Sequence, residues 1–331
     1  MKIQEEAKQV VQKAVKKMKS GGGIKQVIWV GAGGSFGGFY GANYFMHQES
    51  KTIFSNMYTS GEFIYAPPKS IDQNTLVVLC SMRGTSETID SAKVAKNHNA
   101  TTIALYVDES ELVQICDFKI KYESLALDES RLERVNGSIG ICIAMNLLEQ
   151  VEGYKNFEIA MKTFDLLDPI YRKAVKYTTP LAKEWAEQNK DQKTIYVIGS
   201  GPAYGAAYVF SICNLEEMLQ LNSPTIHSYE YFNGPFEVTD KNKSIFQLLA
   251  TGKTRPEDER ALKFEQRFGG KKLYVLDGKE IGLDDIEPAV SPYFNHPIFS
   301  SILNNVYMRE LSYTTHESYE TRRYMWKEDY K

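Results

Sequence analysis

Apolar residues fall into two rhythms along this chain. Over the first twenty positions Ile3, Ala7, Val10, Val11, Ala14, Val15 and Met18 recur at helical spacing, and Gly21-Gly22-Gly23 then stops that helix. Short unbroken apolar runs follow instead: TLVVLCS (75–81), TTIALYV (101–107), SIFQLLAT (244–251) and KLYVLDG (272–278). Runs of this length rich in β-branched residues fit parallel strands buried on both faces. Helical patterns such as SETIDSAKVAKNH (86–98) separate them. Alternating strand and helix predicts an α/β architecture with doubly wound parallel sheets.

The pattern also repeats. VIWVGAGGSFGGFYGANYF (27–45) is echoed by IYVIGSGPAYGAAYVFSI (195–212), and aligning Gly31 with Gly199 also matches Gly33 with Gly201, Phe36 with Tyr204, Gly37 with Gly205 and Tyr40 with Tyr208. Two related halves follow, joined by helices over 159–189, which include LAKEWAEQ. The organisation expected is an N-terminal helix (1–24), a first domain (25–165) and a second domain with a C-terminal extension (166–331).

A glycine turn after a strand invites a dinucleotide reading. The G-x-G-x-x-G fingerprint fails, because Phe36 and Tyr204 occupy the third glycine position. The first turn still lets backbone approach an anion or a sugar, and Ser35 adds a hydroxyl. The second turn holds Pro202 and no matching serine, so a plain tight turn explains it equally well.

A more specific feature is LCSMRGTSETID (79–90), where a strand runs into Ser81, Arg83, Gly84, Thr85, Ser86 and Thr88 and then a helix. Hydroxyls and free backbone N–H groups at a helix start suit a phosphate, and Arg83 can add a charge-assisted pair. The plainer alternative is that Thr85 or Ser86 simply caps the helix.

Bulk properties narrow the partners. The 331 residues carry 39 Lys plus Arg against 42 Asp plus Glu, a balance that offers no electrostatic case for nucleic acid or an anionic membrane. The N-terminal stretch is charged throughout and lacks the apolar core of a signal peptide, and no run reaches the ~18 apolar residues of a membrane span. Cys80, Cys116, Cys142 and Cys213 are widely spaced in apolar runs, which predicts reduced, core-packed thiols. The histidines show no metal-ligand spacing.

The two halves, the serine at the first glycine turn and the S-x-x-G-T-S-E-T loop together resemble the sugar isomerase (SIS) family, whose members bind phosphosugars. The segment SICNLEEMLQLNSPTIHSYEYFNGPFEVTD (211–240) resembles the SIS stretch that carries an acid/base glutamate followed sixteen residues later by a histidine in His-Gly-Pro. Sixteen residues past Glu217 stands Asn233. TRPEDERAL (254–262) and RRYMWKEDY (322–330) resemble the branch that deglycates fructosamine 6-phosphates. The resemblance covers nearly the whole chain. It implies two flavodoxin-like SIS domains, a phosphorylated sugar–amino acid conjugate as substrate and a homodimer with shared sites; no cofactor or metal is expected, and the reduced cysteines point to a cytoplasmic location.

The chemistry can be asked of the residues directly. Freeing an amine from a ketosamine phosphate needs ring opening, a proton moved between adjacent carbons, and protonation of the leaving amine. Glu217, flanked by Leu215, Met218 and Leu219, is the candidate acid and base, chosen over Glu216 by the sixteen-residue spacing. Asn233 can hold a hydroxyl but cannot transfer a proton. The residues leave open an engineered replacement, a natural variant in which another group carries the proton, and a changed activity. His227 and Glu230 are nearby substitutes, although His227 serves equally as a loop-orienting residue. His316, Arg322, Arg323 and Lys327 belong to the C-terminal segment that often completes SIS sites, and Tyr319, Tyr324, Trp326 and Tyr330 are expected to pack on the body or a second subunit. Ser35, Ser81, Arg83, Gly84, Thr85 and Ser86 are the expected phosphate or sugar contacts. Rival readings are an aldose–ketose phosphosugar isomerase and a non-catalytic phosphosugar sensor.

Overall fold

The computed structural model describes residues 1–329, so Tyr330 lies outside the described residues. The chain forms two compact units, Met1–Asp168 and a second beginning at Pro169.

The first unit is built on five parallel strands, β1 (Gln26–Gly31), β2 (Phe54–Thr59), β3 (Thr75–Cys80), β4 (Thr101–Tyr106) and β5 (Phe118–Lys121), in the order β2-β1-β3-β4-β5. The second has four, β6 (Ile195–Gly199), β7 (Thr225–His227), β8 (Ser244–Leu249) and β9 (Leu273–Asp277), in the order β7-β6-β8-β9. The first four strands of each half therefore follow one order. Strand order reverses beside β1 and again beside β6, and in doubly wound sheets such reversals open the crevice that receives ligands at the strand C-termini.

β1, β3, β4 and β8 are buried at every position, as their unbroken apolar runs predict. β2, β5 and β7 are different. Reading FSNMYT, FKIK and TIH, they lie at sheet edges where one flank meets no neighbour, so their mixed polarity gives little signal.

The helix Ile3–Met18 buries Ile3, Ala7, Val11, Ala14 and Met18, and packs along the helix Asn136–Val151 within the first unit. That second helix is buried all round from Gly137 to Leu148, the pattern of a central core helix. The linking region forms the helices Phe157–Thr163 and Leu167–Asn189, the latter with Pro180 inside it. Cys80, Cys116 and Cys142 are buried thiols and Cys213 is partly buried. No helix among the described residues is long and apolar enough to cross a membrane.

Candidate functional site

The two glycine turns, alike in sequence, differ in exposure. After β1, Gly33 takes a positive φ of 53°, Gly34–Gly38 coils into a short helix, and Ala32, Gly33, Gly34 and Ser35 remain partly or fully exposed. Gly31 has no room for a Cβ, which would lie 2.9 Å from the backbone N of Phe36. Ser35 stands with Asn136 and Tyr122 around the Cys80 thiol at the end of β3; burial pushes that thiol up to about 11, and the three polar neighbours partly offset it. The turn after β6 is packed: Ser200, Gly201, Pro202 and Ala203 are all buried, and a Cβ on Gly201 would meet Thr254 Oγ1 at 2.3 Å. The plain-turn reading suits this second copy, while the first keeps an open polar rim.

The hydroxyl loop follows β3. Ser81 is buried, and its Oγ accepts the backbone N–H of Thr85 at 3.0 Å. Thr85 occupies the N-cap position of the helix Ser86–Asn97, yet its side chain makes no cap bond and pairs instead with the Thr88 hydroxyl at 3.0 Å. Thr88 in turn meets Ser60 Oγ at 3.0 Å. Simple capping therefore does not account for the hydroxyls. Gly84, with φ 69°, comes so close to Ser110 that a Cβ would meet its Oγ at 2.4 Å. Arg83 is exposed and pairs with Asp108 at 3.5 Å, a contact of roughly 0–1 kcal/mol that an incoming anion can replace.

Glu217 lies in the second unit on a nine-residue π-helix, Phe210–Met218. The i→i+5 bonding shows in Leu219 N–H donating to Asn214 O at 3.2 Å. π segments are uncommon and concentrate at functional sites. A second one, Leu303–Met308, joins it through Asn214 Nδ2 donating to Asn304 Oδ1 at 2.7 Å. The two neighbouring acids diverge. Glu216 is exposed and accepts the N–H of Ser223 at 3.1 Å, whereas Glu217 accepts from Arg322 Nε at 2.7 Å with its side chain 23% exposed.

Asn233 ends the 3-10 turn Glu230–Asn233, is exposed, and donates from Nδ2 to Glu230 Oε1 at 3.1 Å. Gly234 follows with φ 143°, a conformation that side chains rarely adopt. His227 closes β7; its Nδ1 accepts the N–H of Tyr229 at 3.3 Å and its ring lies 5.3 Å from that of Tyr204, which fits a loop-orienting residue.

Over 309 residues, 93% of each chain, the sequence is 36% identical to fructosamine deglycase FrlB of Bacillus subtilis (strain 168). The chain belongs to the SIS family. A provisionally assigned phosphosugar isomerase from Salmonella typhimurium LT2 superposes with a TM-score of 0.93 at 34% identity, covering 98% of this chain and 99% of its own. Another from Bacillus subtilis does so with a TM-score of 0.89 at 34% identity over 97% and 99%. No family model matches the chain.

Within this SIS chain the C-terminal segment is more than a packed tail. Arg322 is buried, and besides Glu217 its Nη1 donates to Tyr319 O at 2.7 Å. Arg323 and Lys327 are exposed. Tyr324 and Trp326, expected to pack, are 69% and 74% exposed, with the Arg322 guanidinium 5.9 Å from the Trp326 ring centre. His316 ends the last helix in a left-handed conformation and lines an open pocket of about 450 Å³ with Ser312, Tyr313 and residues 317–320. Arg322 is one of three basic candidates in the sequence; its burial and its bond to Glu217 single it out. Asn214 and Asn304 escaped notice altogether, because the pairing of residues 90 positions apart leaves no local signal.

Proposed function

We propose that this SIS protein is a deglycase scaffold for a sugar–amino acid conjugate phosphorylated at C6, such as fructoselysine 6-phosphate or glucoselysine 6-phosphate, yielding glucose 6-phosphate and free amino acid. The observation that carries the reading is the 36% identity to fructosamine deglycase FrlB over 93% of both chains. Ser35, Ser81, Arg83, Gly84, Thr85 and Ser86 would contact the phosphate and sugar. The uncapped helix start at Ser86 and the Ser81–Thr85 bond support this, since a preorganised hydroxyl loop at a helix N-terminus attracts anions.

Glu217 is the proton carrier. Arg322 engages Oε1, which fixes the carboxylate and leaves Oε2 to take a proton from one sugar carbon and return it to the next, giving an imine that one water hydrolyses to carbonyl and free amine. Asn233 occupies the second catalytic position, where its amide holds a hydroxyl but moves no proton. The protein works as a cytoplasmic homodimer in this reading.

One assay tests the proposal. The protein and its Asn233→His variant are incubated with fructoselysine 6-phosphate and glucoselysine 6-phosphate while lysine release is followed. Release by the histidine variant alone identifies Asn233 as a disabling residue, and release by both assigns the second proton elsewhere. No release by either overturns the deglycase reading. The Asn233–Glu230 bond favours a second reading, a phosphosugar-binding protein without turnover, and saturable glucose 6-phosphate binding without lysine release from either form would establish it.

A further inference from the structure

The helix Arg255–Phe268 buries two acids on one face. Asp258 and Glu265 stand seven residues apart, about two turns, and both are 0% exposed. Each reaches the segment of residues 228–239 that carries Asn233, one at its start and one beneath its middle.

Asp258 anchors the start. Its Oδ1 accepts from Ser228 Oγ at 2.5 Å and its Oδ2 from the Ala250 N–H at 2.9 Å, while the Ser200 hydroxyl also acts on the carboxyl. Ser228 N–H donates to Gly199 O at 2.9 Å. One side chain thus gathers the chain just past the ends of β6, β7 and β8.

Glu265 lies under the middle. It borders a cavity of about 10 Å³, at the lower limit for one water, shared with Tyr231, Pro235, Val238, Thr239 and Lys243. Neither carboxyl oxygen has a hydrogen-bond partner among the described residues. The Tyr231 hydroxyl acts on the carboxyl against the effect of burial and shares a 2.5 Å bond with Thr239 Oγ1. Phe232 and Phe236 pack on Phe264 of the same helix, with ring centres 5.8 and 5.6 Å away.

An ionised carboxylate is costly to bury, so burial favours Glu265 as a neutral acid, an effect the Tyr231 hydroxyl only partly offsets. Burial raises Glu265 to about 7, and raises Asp258 to about 6 against the bonds from Ser228, Ala250 and Ser200, which favour its charged form. The charged groups around them are few. Glu257 adds a like charge beside Asp258, and Arg255 is committed to Asp277 and Glu259. Arg260 and Arg267 lie over Phe232 and Phe268, and Lys243 lines the Glu265 cavity with its ammonium 5.6 Å from the Tyr196 ring centre.

We propose that Asp258 and Glu265 are positioning residues that dock residues 228–239 onto this helix, Asp258 through its bonds to Ser228 and Ala250 and Glu265 as a buried neutral acid, setting where Asn233 is presented and releasing the middle of the segment when Glu265 ionises. The functional consequence rests on reading Asn233 as part of the site. The docking itself does not, so a failure of either is separately visible.

The test is hydrogen exchange of the amides in residues 229–239, corrected for intrinsic rate, from about pH 5.5 to about pH 8.5. In the unmodified protein exchange should accelerate about tenfold across that range, while amides of β3 and β4 in the first unit stay constant. Glu265→Gln, a permanently neutral mimic, should slow exchange at the alkaline end, whereas Asp258→Ala, which removes the acceptor for Ser228 and Ala250, should speed exchange near Ser228 at every pH. Glu265→Leu should exchange fast at every pH. A flat profile in the unmodified protein overturns the proposal, as does unchanged acceleration in Glu265→Gln.

Discussion

Arg322 Nε donates to Glu217 Oε1 across 2.7 Å, joining residues 105 apart in sequence. The guanidinium is 9% exposed and the carboxylate 23%, so the pair is shielded enough for its loss to matter. Deleting one partner of a charge-assisted bond typically costs about 1–3 kcal/mol. Arg322→Ala should therefore lower thermal stability measurably and free the segment after Tyr319, seen as faster limited proteolysis there. Arg322→Lys should restore only part, because an ammonium cannot reproduce the guanidinium fork that also holds Tyr319 O. Equal proteolysis of all three proteins would remove Arg322 as the anchor.

The hydroxyl loop makes a separate prediction. Ser81→Ala deletes the buried acceptor for Thr85 N–H, which should cost about 1–2 kcal/mol of loop order. Glucose 6-phosphate affinity measured by calorimetry should fall about tenfold in that variant. Arg83→Ala should weaken binding less, and in a salt-dependent way, because Arg83 is exposed.

Two glycines separate conformation from space. Gly84→Ala meets both a φ of 69° and Ser110 within 2.6 Å, and should destabilise the protein by about 2 kcal/mol or more. Gly61→Ala, in the helix Ser60–Tyr65 with open space around it, should be neutral or stabilise by up to about 1 kcal/mol. Chemical denaturation of both variants checks the contrast.

Stability should also depend on pH through Asp258 and Glu265. Their folded values of about 6 and about 7 lie above the ordinary 3.8 and 4.5, so folding favours the protonated forms. That contribution is full below about pH 4 and is lost as pH rises through 6 and 7, with an upper limit on the order of 3 kcal/mol for each group. Denaturation midpoints of Glu265→Gln should accordingly fall less between about pH 5 and about pH 8 than those of the unmodified protein. Parallel curves for the two proteins would contradict this account.

Local pattern was enough to define the repeated α/β plan, the central strands and the N-terminal helix, because buried parallel strands and an amphipathic face are written in hydrophobic spacing. Asn233 was legible as a candidate position, through its sixteen-residue distance from Glu217. Edge strands FSNMYT and FKIK were not, because one flank of each meets no neighbour to enforce a pattern. Tertiary structure alone decided that LEEM belongs to a π-helix and that Asn214 meets Asn304. It alone showed that Arg322 reaches Glu217, and that two acids in an ordinary-looking charged helix turn inward. Each of these depends on groups distant in sequence meeting where water is excluded, and such meetings have no periodicity to betray them.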